Sequence, residues 1–215
     1  MSSKLQLNKD YFLLLIDIKK STSISSEARQ GVFEKLDSKL KELNQKLNPK
    51  PALKLTISYG DEIAGLFDTP LQIYEIVNEL RQKIYPDAQL RFVVTYGEIG
   101  VVSDDIRRIG GEIFKEAEDQ MNLLKKQDGF CFWSLKDSYQ SAILNSLTEM
   151  SNAILERMTP YQRQVWQLLE SGLTQKQISG RLEKYPQSIS DAVKRGRAEL
   201  VAKAGRIINQ ILEKL

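Results

Sequence analysis

Apolar and polar positions change period along this chain, and the changes mark its elements. Tyr11–Ile16 is an unbroken apolar run closed by Asp17, the pattern of a central buried strand. Ser25–Leu47 sets Val32, Leu36, Leu40, Leu43 and Leu47 on a helical stripe, which Asn48-Pro49-Lys50-Pro51 ends. Leu53–Tyr59 alternates as a strand, Gly60-Asp61 reads as a tight turn, and Glu62–Phe67 returns as the next strand. A helix is predicted from Pro70 through Ile84, a strand over Leu90–Gly97, a loop over 102–109, a helix over Glu112–Lys125 and a short strand over Phe130–Trp133. The order is β-α-β-β-α-β-α-β, and its first six elements match a ferredoxin-like sheet covered on one face by helices.

From Tyr139 onward the strand period disappears. Tyr139–Met158 is helical and is read as a link between two domains. Thr159-Pro160 is an N-cap followed by proline at the first helical position. Thr174 and Gln177 form a capping-box pattern, and Tyr185-Pro186 makes a turn before a third helix starting at Gln187 or Ser188. Ile189, Ala192 and Val193 are its inward residues. The helix is expected to continue past Arg197 to Leu215, on an apolar stripe that either packs back or pairs with a second copy. The whole is α+β, with a sheet domain over 1–137, a linking helix over 138–158 and an all-α domain over 159–215.

Charge sharpens this division. The net +3 is a sum of unlike parts: ten basic and five acidic groups in 160–215, against 21 basic and 23 acidic groups before them. A basic helical end suggests a nucleic-acid partner. On the third helix Gln187, Ser188, Ser190, Asp191, Lys194, Arg195 and Arg197 face outward, and all of these but Asp191, with Gln175 at the start of the second helix, are the candidate DNA-binding residues. Amides and hydroxyls can read base edges, while lysines and arginines neutralise phosphates.

The chain has no histidine and one cysteine, Cys131. That excludes histidine-based triads, imidazole metal sites, an internal disulfide and a thiolate zinc site. Any metal would need oxygen ligands, which favours Mg²⁺, Mn²⁺ or Ca²⁺, and Mg²⁺ or Mn²⁺ is the candidate cofactor. Asp17 ends the first strand and Asp61 lies in the hairpin beyond its expected neighbour. Two carboxylates that converge repel unless a cation stands between them. Glu62 is a third candidate oxygen donor. Lys19, Lys20, Ser21, Thr22 and Ser23 lead into a helix start, where free N–H groups, hydroxyls and lysines suit phosphates. Each feature alone is ordinary structure, and only their meeting on adjacent strands singles them out. With no membrane-length apolar run and no signal-peptide pattern, a cytoplasmic protein with no membrane partner is expected.

Leu14–Thr22 and Gly60-Asp61-Glu62 resemble the two metal motifs of class III nucleotidyl cyclases, and are similar to those of GGDEF domains. Arg91–Glu98 and Ile109–Phe114 follow in the cyclase order. Together with Gly97-Glu98-Ile99 and Thr159–Gln164, these motifs resemble the SatD family over nearly the whole chain. The resemblance implies a cyclase-like palm domain joined to a helix-turn-helix like that of sigma-factor region four and LuxR-type regulators. It implies metal residues at Asp17, Ile18, Asp61 and Glu62, a nucleoside triphosphate or cyclic nucleotide as ligand, DNA as partner, and a homodimer. The departures concern catalysis. Where cyclases place asparagine and arginine this chain has Phe114 and Glu118, the purine-recognising lysine is Ile57, and Tyr59 stands for the first glycine of GGDEF. A DNA-binding regulator that binds a nucleotide or divalent metal is therefore expected. The alternative is an active cyclase or oligonucleotide synthase using Asp17 and Asp61 with two metal ions, in which Arg107 or Arg108 replaces the missing arginine.

Overall fold

The computed structural model describes residues 5–19, 25–58 and 60–215. Its elements are β1 (Asp10–Lys19), α1 (Ser26–Lys46), β2 (Leu53–Ile57), β3 (Ile63–Phe67), α2 (Ile73–Ile84), β4 (Gln89–Glu98), α3 (Glu112–Gln127) and β5 (Cys131–Ser134). Four helices follow: α4 (Ser138–Arg157), α5 (Pro160–Glu170), α6 (Gln175–Leu182) and α7 (Pro186–Arg195), then α8 (Ala198–Leu212) as a fifth. The chain divides into two compact units, Met1–Ala142 with Leu212–Leu215, and Ile143–Ile211. Among the described residues no helix is long and apolar enough to cross a membrane.

In the first unit the strand order is β2-β3-β1-β4-β5. The first four strands pair antiparallel, and β5 adds in parallel beside β4 after the α3 crossover. The central strand β1 is buried at every residue from Tyr11 to Lys19. A strand so placed needs cover on both faces, which is why its apolar run does not alternate. On one face Tyr11, Leu13 and Leu15 join Ile113, Ala117, Met121 and Leu124 of α3 in one core cluster. On the other, the Arg81 guanidinium of α2 lies 4.6 Å over the ring of Phe130, which meets Phe92 edge to face. Phe92 is out of phase with Val93, a member of the α3 cluster, so α2 covers the opposite side. Lys39 and Lys46 of α1 both pair with Glu79 of α2. The expectation of helices on one face thus holds only for α1 and α2. The third helix covers the second face, because β1 and β4 expose apolar side chains on both.

The second unit is helical. Thr159 and Gln162 cap α5 reciprocally, and Thr174 and Gln177 do the same for α6, so two orphan N–H groups are satisfied at each start. Val165, Trp166, Ile178, Ile189, Ala192, Val193, Ala198 and Val201 belong to one buried cluster, which the opening turn of α8 therefore joins. Three boundaries differ from those read in the sequence, the simplest being that α8 ends at Leu212 rather than Leu215. Pro186 is the first residue of α7 rather than part of the preceding turn. The predicted continuous helix breaks at Gly196-Arg197, where Arg197 adopts φ 52°. A Cβ on Gly196 would lie 2.8 Å from the carbonyl oxygen of Ala192, in the last turn of α7 itself, and in tighter contact, at 3.2 Å, with the flexible Gln162 side chain of α5.

Candidate functional site

β1 alternates across the sheet, so Asp17 and Lys19 follow Leu15 onto the face that α3 covers. Asp17 is 4% exposed. It stands directly opposite Arg91 in the β1–β4 ladder, with Asp17 Oδ2 3.2 Å from Arg91 Nε. Its other oxygen, Oδ1, lies 2.9 Å from Lys125 Nζ, supplied by the last turn of α3. Lys125 also reaches Glu62 Oε1 at 3.4 Å, from just before the start of β3. Arg91 donates through Nη1 to the Leu124 carbonyl at 3.1 Å, which ties β4 to the same helix end. The result is a row of alternating charge, Arg91, Asp17, Lys125 and Glu62.

The predicted partner of Asp17 changes accordingly. β1 pairs with β3 through Ile16 opposite Ile63, so the neighbours are adjacent as expected. It is Glu62, however, that shares a cation with Asp17, and Asp61 acts on Glu62 only as a neighbouring like charge. Burial pushes the Glu62 carboxyl above its usual range, and the charges of Asp17 and Asp61 push the same way, while Lys125 opposes them. For Lys125 burial works against the ammonium, but hydrogen bonds and charge from Asp17 and Glu62 outweigh it and raise its pKa.

Ile18 is buried and takes the opposite face of β1 from Asp17. Lys19 is 8% exposed and donates to the Asp128 carbonyl at 3.1 Å, at the C-terminal end of α3. An ammonium there meets the negative end of the helix dipole. Lys20, Ser21, Thr22 and Ser23 lie outside the described residues. Among the described residues no group of three or more carboxylates or other metal-ligating side chains could hold an ion. The oxygens of Asp17 and Glu62 already have Lys125 between them, so the pair as arranged does not fit a divalent cation.

A cleft of about 350 Å³ borders this row on the α3 side. Leu13, Leu15 and Ala64 contribute apolar lining, and Ser58, Glu62, Arg107, Lys115 and Glu118 contribute polar groups. Phe114 lines it too, so the two residues that stand where cyclases place asparagine and arginine sit on the same cleft as Glu62. Arg107 is held by Asp105 at 2.7 Å, and it keeps that carboxyl down at about 2. A wider cleft of about 1070 Å³ beside β2 is lined by Arg107 and Arg108, but by none of the residues predicted to hold metal, phosphate or DNA.

In the second unit Gln187, Lys194 and Arg195 are exposed on α7, and Ser188 and Ser190 are half-buried beside Ile189. Gln187 donates to Asp191 at 3.1 Å, and Gln175 to Glu199 at 3.4 Å. Arg197 is exposed but stands past the end of α7, so it does not share that helix face.

Residues 11–201 match the model of the SatD family. The chain belongs to that family. No curated protein matches this SatD-family chain. Among solved structures it is similar to a bacterial light-regulated adenylyl cyclase, with a TM-score of 0.41 and 12% identity. The match covers 62% of this chain and 45% of that one, so the chain spans less than half the length of that structure.

Sequence reasoning missed Arg91 and Lys125. Arg91 carried a signal, a lone charge inside the apolar strand Leu90–Val94. Lys125 carried none, because Lys126 beside it is identical in type and only the packing of α3 tells them apart.

Proposed function

We propose that this chain is a DNA-binding regulatory protein whose first unit binds a nucleotide. The observation that carries the DNA reading is the division of α7: Ile189, Ala192 and Val193 are buried, while Gln187, Lys194 and Arg195 are exposed. A polar residue in the first turn with cations in the last is the layout of a reading helix in a helix-turn-helix. Three residues separate α6 from α7, with Glu183 at φ 51°, which suits the tight turn of that motif. A homodimer would set two such helices on successive major grooves.

The cleft beside Glu62 supports the nucleotide reading: apolar lining for a base, with Ser58, Arg107 and Lys115 for polar groups. Phosphate contacts would come from Lys20, Ser21, Thr22 and Ser23. A Mg²⁺ or Mn²⁺ nucleotide would have to displace Lys125, whereas a metal-free nucleotide would not, and the second is favoured. The same pairing disfavours the cyclase alternative, as do Phe114 and Glu118.

Anisotropy titration of duplexes selected from a random pool tests the first part. Lys194→Ala and Arg195→Ala should each lower the salt slope by about 1. An unchanged slope in both would sink the DNA face. Calorimetry with ATP, GTP and their cyclic forms, with and without Mg²⁺, tests the second. Absence of heat in every case would remove the nucleotide. Cyclic or linked product formed with Mn²⁺, and lost in Asp17→Ala/Asp61→Ala, would restore the enzyme.

A further inference from the structure

Neighbouring carboxylates repel unless positive charge stands between them. Between Asp17 and Glu62 that charge belongs to the chain itself. Lys125 Nζ is 2.9 Å from one and 3.4 Å from the other. We propose that Lys125 is a built-in cation that occupies the place of a divalent metal ion and keeps this carboxylate pair closed to metal.

Charge comes first. Arg91 and Lys125 match Asp17 and Glu62 one for one, so an arriving divalent ion would meet carboxylates already neutralised. Geometry agrees. Both Asp17 oxygens have a cationic neighbour, Arg91 on one and Lys125 on the other. Lys125 is partly exposed and could swing out, but Arg91 is buried and held to the Leu124 carbonyl. Removal of the Lys125 ammonium would therefore free Asp17 Oδ1 and Glu62 Oε1 together, while Asp17 Oδ2 keeps Arg91. Lysine suits the post, since its ammonium is a compact point charge on a stem long enough to reach from a helix to a sheet edge. The pairing is independent of whether DNA or a nucleotide binds.

Mn²⁺ is the probe, followed by electron paramagnetic resonance and by thermal unfolding of the full chain. The wild type should show no Mn²⁺ site that Glu62→Gln abolishes, and no rise in Tm with Mn²⁺. Lys125→Met should have a lower Tm, regain part of it on addition of Mn²⁺, and lose that response when Glu62→Gln is added. A Glu62-dependent Mn²⁺ site in the wild type would overturn the proposal. So would a folded Lys125→Met variant that ignores Mn²⁺. If Lys125→Met does not fold, the comparison of wild type with Glu62→Gln decides alone.

Discussion

Asp17 and Arg91 face each other across neighbouring antiparallel strands, and their side chains are only 5% and 6% exposed. Removing one member of such a pair strands the other as a buried charge. Asp17→Asn should therefore cost about 3 kcal/mol in urea unfolding, with Arg91 left uncompensated on that side. Replacing both, as Asp17→Leu/Arg91→Met, should recover most of the loss. A single-variant loss of under about 1 kcal/mol would show that water reaches the pair.

The pH dependence of stability should carry the signature of Lys125. Its pKa is raised above the ordinary 10.5, burial being outweighed by Asp17 and Glu62. The folded state thus holds this proton more tightly than the unfolded chain. The stabilisation is fully present below pH 10.5 and is lost as pH rises through the folded value. Urea unfolding of wild type and Lys125→Met at a series of alkaline pH values should show curves that converge as pH climbs. Parallel curves would contradict the assignment. Glu62, also raised, works in the acid range. Its contribution is present below 4.5 and is lost as pH rises through its folded value.

Two adjacent glycines should respond differently to alanine. Gly111 precedes α3 with φ +127°, and a Cβ there would lie 2.6 Å from the Gly100 nitrogen. Gly111→Ala should destabilise by about 2 kcal/mol, from strained backbone and a clash that only backbone movement relieves. Nothing lies within 4 Å of a Cβ on Gly110, and Gly110→Ala should stay within about 0.5 kcal/mol of wild type. Thermal unfolding of the two variants side by side is the check, and equal losses would refute the distinction.

The start of α6 depends on Thr174, whose hydroxyl accepts from the Gln177 N–H at 3.3 Å. Thr174→Ala should cost about 1 kcal/mol, and Thr174→Ser should retain most of it. Equal denaturation midpoints for alanine and serine variants would show that the cap contributes nothing.

Much of this was readable without coordinates, because the signals are local. The strands near Tyr11–Ile16 and Glu62–Phe67, the caps at Thr159 and Thr174, and the inward face of Ile189, Ala192 and Val193 follow from period and capping chemistry. These depend on residues within one or two turns of each other. The break at Gly196-Arg197 was not readable in the same way. Glycine permits a continued helix, and the chain turns at Arg197, whose φ of 52° no local pattern around it announces.

By itself the sequence determined which elements form, which side of each is apolar, and that the first strand ends in an aspartate. It also determined that β1 and β3 could be neighbours. Only the tertiary structure decided what Asp17 meets. The β1–β4 register sets Arg91 opposite it, and the docking of α3 delivers Lys125 rather than Lys126. Those contacts span 74 and 108 residues, and each rests on the packing of whole elements rather than on local preference. A carboxylate reads in sequence as a charge in need of a partner, and the fold determines whether that partner comes from solution or from the chain.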